Sequence, residues 1–335
     1  MTAHALTPAP LAGALEARPE LRADEHPAVV YLARLSPSSR RTMLQALARV
    51  VALVTGAPDG PPAGTPAPVW QAQLAHAFRW DALRRQHAAA IRAQVLERYG
   101  LAAGRTTLAA LRGVLKEAWR LGLMTAEDYH RAADLEPVRG KAHPRGRALS
   151  RGELLALVDA CKRDPSPAGA RDAALLAVLY AAGLRRAESV ALELADFDPE
   201  AGVLVVRCGK GRKARTVPLR NGARRALVAW IEARGPEAGP LFYAGRRGGK
   251  LEARNLTPDA VLKLLARRAS AAGIVARFSP HDLRRTFAGD MLDAGADIST
   301  VRELMGHASV TTTAGYDRRG EQAKAKAAEL LHFPY

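Results

Sequence analysis

The apolar positions fall into a long series of helical stripes, interrupted in the second half of the chain by short runs with β character. From His26 onward Val29, Leu32 and Leu35 share a helical face. After the turn Ser36-Pro37-Ser38 a second stripe runs through Met43, Leu44, Leu47, Val50 and Val51. Helical spacing returns over Trp70–Phe78, Trp80–Tyr99, Thr106–Leu121 and Thr125–Ala133. In the third of these, Leu108, Leu111, Val114, Leu115, Ala118 and Trp119 form one face, while Arg112, Lys116 and Arg120 line another. Residues 57–68 are dominated by Pro and Gly and predict an exposed loop within this helical region. Residues 1–25, rich in Ala and Pro and without apolar periodicity, read as a flexible leader.

Residues 136–149 (EPVRGKAHPRGRAL) break the composition with four basic residues, two prolines and two glycines, which predicts a linker. The next region opens at Ser150-x-x-Glu153, a capping box ahead of Leu154, Leu155, Leu157 and Val158. A helix is expected over Ala170–Ala181. The runs 202–207 (GVLVVR) and 215–219 (RTVPL) flank the turn Gly209–Lys213 and predict a hairpin, with a third strand at Pro240–Tyr243. Further helices are expected to start at Thr257-Pro258, Ser279-Pro280 and Thr300-x-x-Glu303. The fold class is therefore mainly α with a small antiparallel β-sheet. It divides into a helical domain over 26–135 and a second domain over 150–335.

With 335 residues, 48% of them hydrophobic, the chain can fill two cores, and wholesale disorder is excluded. Charge changes the picture more: 50 Lys and Arg against 33 acids leave +17, of which residues 1–135 carry +5 and the remainder +12. A single basic tail does not account for this, and a polyanionic partner becomes the leading expectation. Two cysteines, Cys161 and Cys208, are too few for a disulfide framework and lack metal-ligand spacing, so they read as reduced packing residues. The longest apolar stretch, Ala173–Leu184, is about half of what a bilayer crossing requires. It ends at Arg185 and Arg186, and the N-terminus shows no signal-peptide pattern. Neither a membrane nor a secreted protein is expected.

Four clusters in the second domain hold candidate chemistry. Arg185 closes an apolar helix, with Glu188 three residues on to orient it. Lys210 stands between two glycines at the hairpin tip, in a turn that lacks the P-loop pattern. His281 and Arg284 share one face of the first turn of a helix, where the dipole favours an anion. His307 follows Gly306, and Tyr316 lies nine residues further on; a tyrosine nucleophile needs a cationic site and a proton acceptor. Each cluster also has a plainer reading: an Arg–Glu pair, a solvated turn, a helix start with incidental charges, and a packed tyrosine.

Taken in order, the four clusters resemble the tyrosine recombinase (phage integrase) family, its Xer-like members especially. The matching segments are YAAGLRRAESVALELADFD (Tyr180–Asp198), CGKGRKARTVPL (Cys208–Leu219), SPHDLRRTFA (Ser279–Ala288) and ELMGHASVTTTAGY (Glu303–Tyr316). Their separations match as well: 25 residues from Arg185 to Lys210, 23 from Arg284 to His307 and 9 from His307 to Tyr316. Met305 departs from the usual leucine before Gly-His, and Arg285 from a frequent histidine. The resemblance covers about residues 150–320; the helical region before them agrees in architecture only.

The resemblance implies a two-domain DNA clamp, with a helical, SAM-like core-binding domain and a catalytic domain. It implies a site-specific recombinase that cleaves and rejoins duplex DNA through a 3′-phosphotyrosine, with no metal and no cofactor. Tyr316 would be the nucleophile, Arg185 and Arg284 the phosphate clamps, and Lys210 the acid for the leaving 5′ oxygen. His281 would accept the tyrosine proton, His307 would hydrogen-bond the phosphate and Glu188 would support Arg185. The implied partner is double-stranded DNA, in a homotetramer or heterotetramer joined through the C-terminal tail, residues 317–335, with accessory recombination proteins possible and no membrane. The implied location is the cytoplasm, on the nucleoid. An integrase of a phage or mobile element shares this chemistry, a type IB topoisomerase would use the same site, and a DNA-binding regulator without catalysis is the remaining alternative.

Overall fold

The computed structural model describes residues 21–58, 60–140, 146–207, 214–246 and 250–317. The expected leader up to residue 20, the centre of the linker, Cys208, the turn with Lys210 and the tail beyond 317 lie outside the described residues. The chain divides into two compact units, Met1–Pro144 and Arg145–Tyr335.

The first unit is helical: α1 (Pro27–Ala33), α2 (Pro37–Thr55), α3 (Ala67–Ala77), α4 (Arg85–Arg98), α5 (Leu101–Arg120) and α6 (Ala126–Ala133). Helix α5 buries Leu108, Leu111, Val114, Leu115 and Ala118, the face expected from its spacing, against Ala46, Leu47, Val50 and Val51 of α2. Gly113 lets α1 approach, because a Cβ there would collide with the Tyr31 ring. Several expectations change. Leu35 falls beyond the end of α1, and α5 begins at Leu101 rather than at Thr106. Ser36 is the N-cap of α2, so Pro37 begins the helix and the turn is shorter than expected. The loop predicted to Pro68 ends at Pro66, where α3 takes over. The helix expected over Trp80–Tyr99 is broken: Trp80–Ala82 is a 3-10 turn, Leu83 is extended and buried, and α4 starts only at Arg85.

The second unit is built around α8 (Pro167–Ala181), packed by α7 (Arg151–Lys162) on one side, with α9 (Arg186–Val190) following it. The Ser150–Glu153 capping box forms as expected. A three-stranded antiparallel sheet comes next, β1 (Phe197–Asp198), β2 (Val203–Val206) and β3 (Arg215–Pro218), in which Val206 pairs with Arg215. Helix α10 (Asn221–Arg234) packs against α8 and buries Leu227 and Trp230. The third strand expected at Pro240–Tyr243 is instead β4 (Tyr243–Gly245), paired with β5 (Leu251–Asn255) in a separate hairpin. Helices α11 (Pro258–Ala271), α12 (Pro280–Asp293), α13 (Ile298–Met305) and α14 (Val310–Ala314) complete the unit. Helix α13 starts earlier than Thr300 predicted, because the Asp297 carboxylate accepts from the Ser299 and Thr300 amides.

The flanks of the expected linker are docked on their own units. Arg112 donates to the Leu135 carbonyl, Arg105 donates to that of Val138, and Leu149 N–H donates to Thr286 Oγ1. Cys161 is buried in the core, which pushes its thiol up to about 12. Among the described residues no helix is long and apolar enough to cross a membrane, and no cluster of potential ligands could hold a metal ion.

Candidate active site

Two helices end where the arginines of the site lie. The chain leaves α8 through Gly183 (φ 57°) and leaves α13 through Gly306 (φ 61°), both left-handed positions suited to glycine. These endings expose carbonyls that no helical amide satisfies. Arg284 of α12 donates to Gly183 O and Met305 O, and Arg185 donates to Gly306 O at 3.0 Å. Carbonyls orient a guanidinium without neutralising it. Arg284 is 1% exposed and has no ion pair among the described residues; burial first, then Arg185, pull its pKa down to about 9. Arg268, also buried, is instead paired with Asp164 and Asp172. A buried cation without a counter-charge is costly, so Arg284 is a group waiting for an anion.

Arg185 is the N-cap of α9, and its backbone N–H and side chain both donate to Glu188, at 2.9 and 2.6 Å. Glu188 is buried and is shared with Arg215 at the start of β3, which donates to it at 2.8 and 3.2 Å and to Leu304 O at 2.8 Å. Burial pushes the Glu188 carboxyl upward, but Arg215 and Arg185 outweigh it and hold its pKa below the ordinary value. One carboxylate thus ties together β3, α9 and, through Arg215, the end of α13.

Tyr316, 8% exposed, places its hydroxyl 3.1 Å from His281 Nε2. His281 sits in the first turn of α12, set there by the Ser279 cap, Pro280 and the box closed by Asp282. The tyrosine ring stacks on His307 with centroids 5.9 Å apart, and the Arg285 guanidinium lies 5.5 Å from its centre. His307 Nδ1 is 2.9 Å from the hydroxyl of Thr313 in α14. Burial and then Arg284 lower both imidazoles, with His307 held down to about 4. Both rings are therefore neutral near pH 7.

Arg185, His281, Arg284, His307 and Tyr316 line one cavity of about 830 Å³. Glu188 stands behind Arg185, and Lys210 lies outside the described residues. The cavity offers two guanidiniums for the non-bridging oxygens of a phosphate diester, a hydroxyl nucleophile and a neutral base beside it. The sequence alone assigned no role to Arg215, Thr313 or Arg285. Arg215 and Thr313 lie inside the matched segments, and Thr313 stands one helical turn before Tyr316, but only tertiary structure shows what they touch.

A family model described as "Phage integrase family" matches residues 147–322. The tyrosine recombinase XerC of Chromohalobacter salexigens is 38% identical over 172 residues, covering 50% of this chain and 55% of that one. XerC of Azotobacter vinelandii is 37% identical over 228 residues, covering 67% and 72%. The chain thus spans little more than half the length of the first of these relatives. In fold, the chain is similar to a lambda integrase dimer bound to a COC′ core site, with TM-score 0.62 at 17% identity over 89% of this chain and 77% of that one.

Proposed function

The chain belongs to the phage integrase family, as an Xer-like tyrosine recombinase by sequence, and on that premise we propose that it is a site-specific recombinase that cleaves and rejoins duplex DNA. The observation that carries this reading is Arg284, a buried guanidinium held among the described residues only by carbonyls, in the same cavity as the Tyr316–His281 pair. Arg185 and Arg284 bind the scissile phosphodiester. Tyr316 Oη attacks phosphorus as its proton passes to His281. The bond to the 5′ oxygen breaks, and that oxygen takes a proton from Lys210 to leave as a hydroxyl. The result is a 3′-phosphotyrosine that keeps the phosphoester bond energy, so a second 5′-hydroxyl can reverse the step and join a new strand. The arginines act by meeting charge that grows on the phosphorane oxygens.

The basic helical unit supplies further phosphate contacts and completes a clamp on the duplex. Copies assemble on DNA as a tetramer, of one chain or with a related partner, through the tail, residues 317–335. A groove of about 820 Å³ lined by Leu154, Leu155 and Val158 of α7, Tyr180 of α8 and Ala226 of α10 offers an apolar seat for Leu330, Leu331 and Phe333 of a neighbouring copy. Such a protein works in the cytoplasm, on the nucleoid.

The test is a plasmid carrying two copies of a site selected from genomic DNA, incubated with the protein in EDTA. Exchange of the flanking DNA is expected. Relaxation without exchange would point to a topoisomerase, and binding without either to a regulator.

A further inference from the structure

We propose that Thr313 is a positioning residue whose hydroxyl donates to His307 Nδ1 and so keeps the ring proton on Nε2. The functional part of this proposal rests on the strand-cleavage reading above. Residues 311–313 are all threonine, but Thr311 and Thr312 are exposed whereas Thr313 is wholly buried, its hydroxyl 2.9 Å from the ring nitrogen. A threonine in a helix commonly turns its hydroxyl onto a carbonyl of the preceding turn. Here it meets the imidazole instead. A neutral imidazole has one N–H and one lone pair, and a hydroxyl can serve either, so the distance alone leaves both tautomers available.

The surroundings decide between them. His307 lines the cavity with Arg185 and Arg284, and its Nε2 has no hydrogen-bond partner among the described residues. Phosphate oxygens only accept hydrogen bonds, so a ring meeting them through Nε2 must carry its proton there. Protonating both nitrogens would serve as well, but burial and the neighbouring guanidiniums oppose that charge. A fixed hydroxyl donor at Nδ1 supplies the Nε2–H form without adding charge, much as hydrogen bonds to the remote nitrogen select the tautomer of metal-binding histidines. Thr313 also sits three residues before Tyr316, in the short helix α14 that ends just ahead of the tyrosine.

The experiment records nitrogen-15 NMR of the histidine rings in the full chain without DNA at pH 7, for the wild type, Thr313→Val, Thr313→Ser and the exposed control Thr311→Val. The expected wild-type signature is protonated Nε2 on His307, kept in Thr313→Ser and Thr311→Val and replaced in Thr313→Val by a mixture or by protonated Nδ1. In an assay of covalent protein–DNA adduct on a nicked duplex of the selected site, Thr313→Val is expected to lose about ten- to a hundredfold, the range found for removing a hydrogen-bond partner of the remote histidine nitrogen at metal sites, with Thr313→Ser restoring most of it. A wild-type ring protonated on Nδ1, or a Thr313→Val ring unchanged from wild type, overturns the proposal. If no variant, wild type included, forms an adduct, the strand-cleavage reading fails, while the tautomer signature still decides what Thr313 does.

Discussion

The Tyr316 hydroxyl and His281 Nε2 stand 3.1 Å apart, although 35 positions separate them in the chain. The pairing brings together the N-terminus of α12 and the residue just past α14. The Ser279 cap and Pro280 set the histidine; the stack on His307 and the Arg285 guanidinium hold the tyrosine ring. The Tyr316 hydroxyl therefore rests beside the His281 imidazole in the protein alone, as the proposed roles of nucleophile and proton acceptor require.

Arg284→Ala should lower adduct formation by at least about a hundredfold, the usual effect of removing one preorganised donor to a developing oxyanion. DNA binding measured by gel shift should fall far less, because many other basic groups meet phosphates. Equal losses in the two assays would count against the assignment.

Glu188→Gln leaves Arg185 and Arg215 without the carboxylate they share. Breaking a buried ion pair from one side costs about 3–5 kcal/mol, and urea unfolding should show a loss of that order. Glu252, on β5, also pairs with two arginines, Arg246 and Arg254, yet is exposed to solvent screening, and Glu252→Gln should leave the urea midpoint unchanged.

Gly183→Ala tests the helix ending that holds Arg284. A left-handed φ of 57° costs a residue with a Cβ about 1–2 kcal/mol, and that Cβ would also strike the Phe287 ring. Thermal unfolding should shift down, and cleavage should fall beyond what the stability loss explains, since the displaced carbonyl is one of the two that orient Arg284.

Much of this was legible in the chain, for identifiable reasons. The Ser150–Glu153 box, Thr257-Pro258 and Ser279-Pro280 are local signals that need only their own turn, and all three mark helix starts. The β2–β3 hairpin follows from two short β-forming runs on either side of a glycine-containing turn. What failed was decided by distant partners or by competition. The two residues of β1 are a strand only because β2 pairs with them, and Asp297, not Thr300, caps α13. At the site, the order of Arg185, His281, Arg284, His307 and Tyr316 is visible in the sequence, but distance is not. Arg215 gives no signal until folding sets it against Glu188.

Acid should unsettle the second unit in a defined window. Burial and then Arg284 hold the His307 pKa at about 4 and keep His281 below its ordinary 6.5. Between pH 6.5 and 4 the unfolded chain therefore takes up protons that the folded chain refuses, and stability falls as pH drops through that range. Urea midpoints compared across this window should show a shallower fall in His307→Gln. An identical fall in both proteins would contradict the assignment.

The most direct measurement uses a nicked suicide duplex of the selected site, incubated with the protein in EDTA and resolved on a denaturing gel beside Tyr316→Phe. A covalent protein–DNA band, absent from the mutant and mapped by mass spectrometry to a phosphorylated Tyr316, is the result predicted. Site-specific binding with no such band, or a band that survives in Tyr316→Phe, would contradict the central claim.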